Sequence, residues 1–489
     1  MGTSPMRSGV AVALSVATGI FARTITLGVS GSSLAAAVVA ACTAAATVWL
    51  VSSRPILPLD ESACSRPLRI VSAVATIAAL VVLVRLSIFM IDPSKAAYSF
   101  IPSSTWEVEH NCLTAYFVSA QAASTTRDIY DEGLFTASDD DPSKPRKPLK
   151  LGAFKIDVFE YPPTFLLLPR ALIRLAPDFT RLRMLWFGFS GAVVLLSFLT
   201  VVRVLSPAAG TRALLLSPLV WLSFPMLSCL QKGNVQVVVI AASMLAMVLF
   251  EKRRDAAGGA ILAFVAMSKI YPGMLVIYLL AQRRWRALAW TVAAEFAFLA
   301  VSLLDIGWAP YASFLHRLPQ ILGGEAFPAF RNPPAIAINF SIPGLVFKLG
   351  QLGVPGMSFF ASKIVGWIYT VIVVAATVRV ARRSVAEDQL PSVWMAILIL
   401  ATLRSPFLPM GYAAIPPLWL LTLMAARVAS TGRVLAIVGL LWLLLCPNWP
   451  VDWPVDPRLL GAVVLVPQAI TLGLAVVALR RTRELGATS

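Results

Sequence analysis

Glu107, Glu109 and His110 stand within four residues of one another in WEVEHNCLTAY, residues 106–116, in a chain that has only two histidines. A carboxylate beside an imidazole is a proton-handling arrangement. The acid can take a proton from a hydroxyl, while the histidine orients that acid or contacts an anion. Further polar candidates recur along the chain: Asp92, Glu160 with Tyr161, Lys232 with Asn234 and Gln236, Lys269, His316, Arg331, Asn339 and Arg404. Carboxylates with Lys and Arg nearby suit attack by a hydroxyl on a centre whose leaving group is a phosphate. The carboxylate serves as general base, and the cations stabilise the charge gathering on the phosphate. No Gly-rich nucleotide loop is present, which argues against a nucleotide-bound donor, and no Ser-His-Asp order or HExxH supports a hydrolase. The cysteines at 42, 64, 112, 229 and 446 form no CxxC. No metal is demanded, although an acid-rich loop could hold one weakly, and neither a cofactor nor a disulfide framework is expected.

These residues must be positioned by elements made for lipid. Of the 489 residues, 58% are hydrophobic and 13% charged, against roughly 25% charged in soluble domains. Apolar runs near twenty residues recur, long enough to cross about 30 Å of hydrocarbon. The expected fold is an all-α polytopic membrane protein, since the short alternating strands of a barrel are missing. A net charge of +17 could mean nucleic acid, but the basic residues cluster just after apolar runs, as cytoplasmic loops require. The strongest clusters are EKRRD at 251–255, RRWR at 283–286, RVARR at 379–383 and RRTR at 480–483. No nucleic-acid partner is expected.

Threading the chain between those clusters predicts spans near 10–28, 31–52, 69–91, 184–204, 211–229, 233–250, 286–304, 362–381, 389–409, 413–427, 432–448 and 459–479. The first is read as a retained anchor, because no convincing cleavage site follows it. Both termini fall on the cytoplasmic side. Residues 256–282 are too few for two full crossings, which need about 40, so they predict two short helices broken at 268–273, with Lys269 in the break. Two long loops, 92–160 and 306–361, fall on the outer side and should carry short interfacial helices. Residues 138–150, charged and proline-rich, read as a surface excursion. On this path the polar candidates gather at the outer boundary. Charged groups at membrane depth cost roughly 2.5–3.5 kcal/mol each, which favours a functional role over snorkelling for Lys232, Lys269 and Arg404.

Several segments resemble glycosyltransferase family 87, GT-C-type membrane enzymes that include polyprenol-phosphate-mannose-dependent α-mannosyltransferases. FEYPPTFLLLPRALIRLAP at 159–177 resembles its Y-x-Y-P-P signature. LSFPMLSCLQKGNVQ at 222–236 resembles a segment ending in G-Q-x-N, with the polar pair in altered order. MSKIYPG at 267–273 followed by RRWR resembles its K-x-x-P break and basic cluster, NFSIPGL at 339–345 its N-x-S-x-x-G-L, and Arg404-Ser405-Pro406 its late S-P motif. The resemblance spans about residues 90–425. It implies a GT-C-like bundle of about 11–14 transmembrane helices in a bacterial plasma membrane. The implied reaction moves a sugar, mannose by analogy, from a polyprenyl-phosphate donor to a lipid or glycan hydroxyl at the outer face. The family's aspartate ahead of a Y-x-x-A segment has no counterpart before Tyr116 to Ala120. Glu109 and Asp92 are the acids offered in its place, with His110 beside them. PFLPMGY replaces the histidines usual after S-P. The expected organisation is N-terminal anchor spans over 1–68, a catalytic membrane core over 69–430, and C-terminal spans with a basic tail over 431–489. A transporter or flippase of lipid-linked substrates, with its broken helix at the transport site, and a non-catalytic envelope scaffold are the competing readings.

Overall fold

The computed structural model describes residues 5–54, 56–57, 59–126, 128–137, 147–446 and 455–481. Residues 138–146 of the charged excursion, and the end of the last basic cluster, lie outside the described residues. The chain is a multi-pass bundle of α-helices with very little strand. Seven helices are long and apolar enough to cross a membrane: Pro5–Ser30, Ser33–Ser53, Arg66–Ile91, Phe179–Val202, Trp285–Ile306, Phe359–Ala381 and Pro457–Arg480. Polar side chains start several of them, since a hydroxyl or carboxylate can take an otherwise unpaired backbone N–H of the first turn. Ser32, Ser65, Asp178 and Ser358 cap in this way, accepting from Ala35, Leu68, Arg181 and Ala361.

Other predicted spans are shorter than twenty residues or bent. Pro207–Trp221 and Phe224–Lys232 meet at 61° and are together long and apolar enough for one bent span. Gln236–Glu251, Asp255–Ser268, Leu390–Thr402, Ile415–Ala425 and Gly432–Leu445 are each 11 to 16 residues long. They end early because irregular backbone interrupts them, and such backbone survives at membrane depth only where protein rather than lipid surrounds it. Every residue of Leu390–Thr402 is indeed buried. Residues 256–282 form the expected broken pair, Asp255–Ser268 and Gly273–Ala281.

The helix ends sort onto two faces. On one, basic side chains tie chain ends together by donating to carbonyls: Arg7 to Arg54, Arg203 to Ile56, Arg212 to Ala426, Arg284 to Phe250, Arg383 to Leu479, and Arg427 to Asp388. The first described helix starts here and the last ends here. The opposite face carries the two long loops, whose short helices include Thr105–Glu109, Leu113–Ala122, Ala309–Gly323 and Leu345–Gln351, with Leu167–Leu175 following the first loop. These loops touch each other. Thr164 Oγ1 lies 2.8 Å from Tyr311 Oη, and Arg317 pairs with Asp128 at 3.4 Å.

A small sheet organises the first loop: β1 (His110–Asn111), β2 (Lys150–Leu151) and β3 (Phe154–Ile156), in the order β1-β3-β2. β3 runs parallel to β1, with His110 opposite Lys155 and Asn111 opposite Ile156, and antiparallel to β2. Cys112 follows β1 directly and Asp157 follows β3 directly.

Candidate active site at the loop face

His110 is held from every side. Its ring stacks on Trp106 at 4.3 Å between centroids and 11° between planes. Its Nε2 lies 3.7 Å from Asp157 Oδ2, 3.6 Å from Cys112 Sγ and 3.4 Å from Tyr412 Oη. Tyr412 Oη is also 3.3 Å from Cys112 Sγ, to which Asn234 Nδ2 donates at 3.3 Å. Four segments far apart in sequence thus converge. Burial pushes the His110 imidazole well below its usual range, helped by Lys232 and Lys155. The ring is therefore neutral at pH 7. Asp157 keeps 35% of its side-chain surface accessible, yet crowding by protein atoms pushes its carboxyl up to about 6, and burial lifts the Cys112 thiol to about 12.

Beneath this cluster is a buried clamp. Lys232 Nζ meets Glu107 Oε1 at 2.6 Å, and both side chains are only 5% exposed. Ser228 Oγ donates to the other carboxylate oxygen at 3.3 Å, and Gln231 Nε2 donates to the Glu107 carbonyl at 2.6 Å. Gln231 also accepts from Phe100 N. These bonds fasten the Thr105–Glu109 helix to Phe224–Lys232. Gly233 ends the latter helix at φ +65°. This conformation suits glycine, and a Cβ there would lie 2.9 Å from the Leu113 Cβ. The sharp exit delivers Asn234 to Cys112. Asn234 Oδ1 accepts from Gln236 N, while both side-chain amide atoms of buried Gln236 are unpartnered among the described residues.

The second part of the site surrounds Tyr161. Its hydroxyl accepts from Tyr116 at 2.9 Å, and its carbonyl accepts from Tyr130 at 2.7 Å. Lys269, in the break between the short helices, places Nζ 5.1 Å from the centre of the Tyr161 ring. The neighbouring Glu160 carboxyl is half-buried and has no hydrogen bond or ion pair among the described residues. Burial, reinforced by Asp157, raises it well above the ordinary carboxylate range, and Lys269 opposes that shift. Glu160 and Lys269 sense each other's charge without pairing.

Other expected site residues stand apart. Glu109 pairs with Lys155 at 2.9 Å on the sheet's accessible side, which holds its carboxyl below the usual range. Asp92 closes a turn after its helix, accepting from Ser94 N at 3.0 Å and Ser94 Oγ at 2.7 Å, and these bonds lower its pKa. Both acids are stabilised as anions, which weakens them as bases. His316 and Arg331 are exposed on the second loop. Arg404 donates to Thr370 at 2.7 Å and lies over Trp367 at 5.7 Å, on the flank of Phe359–Ala381. Asn339 is a buried latch. It donates to the Pro406 carbonyl at 3.2 Å and accepts from Ser341 N and Leu408 N. It thereby sets residues 406–409, which lead into the short helix Met410–Ala413 that carries Tyr412.

Cys112, Asp157 and Tyr412 are the members that motif reading leaves out. Asp157 lies just upstream of FEYPP, and an acid there was the available signal. The ligand atoms of His110, Cys112 and Asp157 all lie within 4.8 Å of one another. Local spacing in the sequence shows only His110 and Cys112 together, and folding adds Asp157 as a third donor. Among comparisons with known proteins, the model of glycosyltransferase family 87 matches residues 159–408, half of the chain, which include Glu160, Tyr161, Lys232, Asn234, Lys269 and Asn339. No curated protein and no solved structure matches the chain.

Proposed function

Because the chain belongs to glycosyltransferase family 87, we propose that this membrane glycosyltransferase moves mannose from a polyprenyl-phosphate donor to a hydroxyl of a lipid or envelope glycan. The membrane is a bacterial plasma membrane, and the loop face is its outer side. The observation that carries the reading is Glu160, a half-buried carboxyl left without a partner beside Tyr161 and close to the cation Lys269. A carboxyl whose surroundings disfavour its anion is a stronger base than an ordinary glutamate, which suits it to taking a proton from a hydroxyl. The pairing of Glu109 with Lys155 and of Asp92 with Ser94 favours Glu160 over either of them.

In the proposed step, the acceptor oxygen forms a bond to the anomeric carbon as the bond from that carbon to the donor phosphate oxygen breaks. Glu160 takes the acceptor's proton. The electron pair of the broken bond leaves on the polyprenyl phosphate, whose extra charge Lys269 stabilises. Tyr161, fixed by Tyr116 and Tyr130, separates the two groups and holds the sugar between them. Neutral His110 and Tyr412 supply donors to the sugar or acceptor hydroxyls.

The test is transfer from radiolabelled polyprenyl-phosphate mannose to a membrane lipid extract by the full chain in detergent. Glu160→Gln should lower the rate by about 10²-fold or more, the usual weight of a general base. Glu109→Gln and Asp92→Asn should stay near wild type. Full transfer by Glu160→Gln would sink the assignment of the base. No transfer by folded wild type with any polyprenyl-phosphate sugar would favour the scaffold reading.

A further inference from the structure

We propose that His110, Cys112 and Asp157 bind one zinc-class divalent cation, with its fourth coordination position open beside Tyr412. Tetrahedral zinc has bonds of about 2.0–2.3 Å to nitrogen, oxygen and thiolate sulfur, so its ligand atoms stand about 3.4–3.6 Å apart. Here His110 Nε2 lies 3.7 Å from Asp157 Oδ2 and 3.6 Å from Cys112 Sγ. The Tyr412 hydroxyl lies 3.4 and 3.3 Å from the same nitrogen and sulfur, beside the cluster. A hydrogen-bonded His–Asp pair would close to about 2.7–3.2 Å. The observed separation is too long for that bond and matches two atoms facing a common ion.

The backbone explains how three such side chains meet. His110 and Asn111 are extended and the chain then turns into the helix Leu113–Ala122 at Cys112, which sets His110 Nε2 and Cys112 Sγ 3.6 Å apart while Asn111 turns inward to accept from Leu113 N. The parallel register brings Asp157 alongside. The supporting bonds leave the ligating atoms free and aimed. Asp157 Oδ1 accepts from Val158 N at 3.0 Å, which leaves Oδ2 toward the cluster, and Trp106 fixes the imidazole plane. The Asn234 amide donates to Cys112 Sγ at 3.3 Å, a bond that favours thiolate. The thiolate and the carboxylate together cancel a divalent charge. The cation nearest the set, Lys232, already has its charge met by Glu107 at 2.6 Å. A thiolate with an imidazole selects zinc over magnesium or calcium, and three protein ligands with an open position is the pattern of zinc sites that act on a substrate. Any use of the ion in transfer, such as holding a phosphate or acceptor oxygen, rests on the reaction proposed above. Binding of the ion does not.

The full chain should be produced with supplemented zinc, purified in detergent without chelator, and its metal content measured by mass spectrometry. Wild type and Glu109→Gln should each carry about one zinc per chain, as a single site requires. Cys112→Ser and Asp157→Asn should carry at least about tenfold less, by loss of one ligand. After exchange with cobalt chloride, wild type should show visible bands of a tetrahedral centre and a near-ultraviolet thiolate band, and the latter should vanish in Cys112→Ser. Chelation should lower the thermal midpoint of wild type and leave Asp157→Asn unmoved. If Cys112→Ser fails to fold, Asp157→Asn and the cobalt spectrum of wild type decide the matter. Zinc-free wild type with a featureless cobalt spectrum, or zinc retained undiminished in both variants, overturns the proposal. Loss of transfer with zinc retained would fault the reaction and leave the site standing.

Discussion

Glu160 and Glu109 are the same residue type on the same loop, and their surroundings send them opposite ways. Lys155 stabilises the Glu109 anion, while burial beside Asp157 destabilises that of Glu160. A base works only when ionised. Transfer should therefore fall as pH is lowered through a value above the ordinary glutamate pKa of about 4.3, and a pH–rate profile limited by an ordinary carboxylate would contradict the role of Glu160. The stability consequence runs the other way. A pKa raised in the folded state means that folding favours the protonated form. That contribution is complete below the unfolded pKa and is lost as pH rises through the folded one. Thermal midpoints should show Glu160→Gln gaining on wild type between mildly acidic and alkaline pH, and a constant difference would contradict a raised pKa. Lys269→Gln should lower transfer more than Glu109→Gln, measured in the same assay, because Lys269 alone of these two positions adjoins Tyr161. The presence of acids, cations and a histidine was legible in the sequence. Which acid is free was not, because Lys155 reaches Glu109 only through the pairing of β1 with β3, strands that are far apart in the sequence.

At the scale of elements, hydropathy sufficed for helix positions, since apolar runs between basic clusters mark spans whatever packs against them. The broken pair around Lys269 followed from counting residues against membrane thickness. The convergence of Tyr412 with His110 did not follow, because it depends on Asn339 latching residues 406–408. The Glu107–Lys232 clamp was equally hidden, although both residues were visible. Its energetics can be tested. Removing one partner of a buried pair strands the other and costs about 3–5 kcal/mol, whereas an apolar replacement of both is often close to neutral. Glu107→Gln should lower the thermal midpoint sharply in detergent, and Glu107→Leu with Lys232→Met should recover most of the loss. No recovery would mean that the clamp acts through something other than charge. Close helix packing makes a second test. A Cβ on Gly188 would lie 2.5 Å from Thr24 Oγ1 and 2.7 Å from the Phe21 carbonyl, so Gly188→Val should loosen Pro5–Ser30 from Phe179–Val202. Unchanged protease resistance of the first helical hairpin would contradict that.

For the molecule as a whole, the separation of its two ends carries the argument. Basic side chains at one end do two jobs. They hold helix ends together through carbonyls, as Arg203 does with Ile56 and Arg212 with Ala426, and a surplus of Lys and Arg at one end is what the positive-inside rule assigns to the cytoplasm. The other end spends its charges differently. Glu107 with Lys232, Glu109 with Lys155, Asp128 with Arg317 and Asp305 with Arg170 are pairs that shape loops. Polar groups left over there, Glu160 and the cluster around His110, have no structural charge to answer. A reaction that takes a lipid-linked donor has to meet its phosphate at headgroup level, which is where those groups lie if the basic end is cytoplasmic. The orientation is therefore a condition of the function and can be tested apart from it. Ala97 is exposed on the loop face and Ser384 on the basic face. In intact cells a membrane-impermeant maleimide should label Ala97→Cys and spare Ser384→Cys until the membrane is permeabilised. The reverse pattern would put the site on the side where nucleotide-activated sugars are abundant. It would then be the absence of a nucleotide-binding loop in this chain, rather than its acids and cations, that needed explaining.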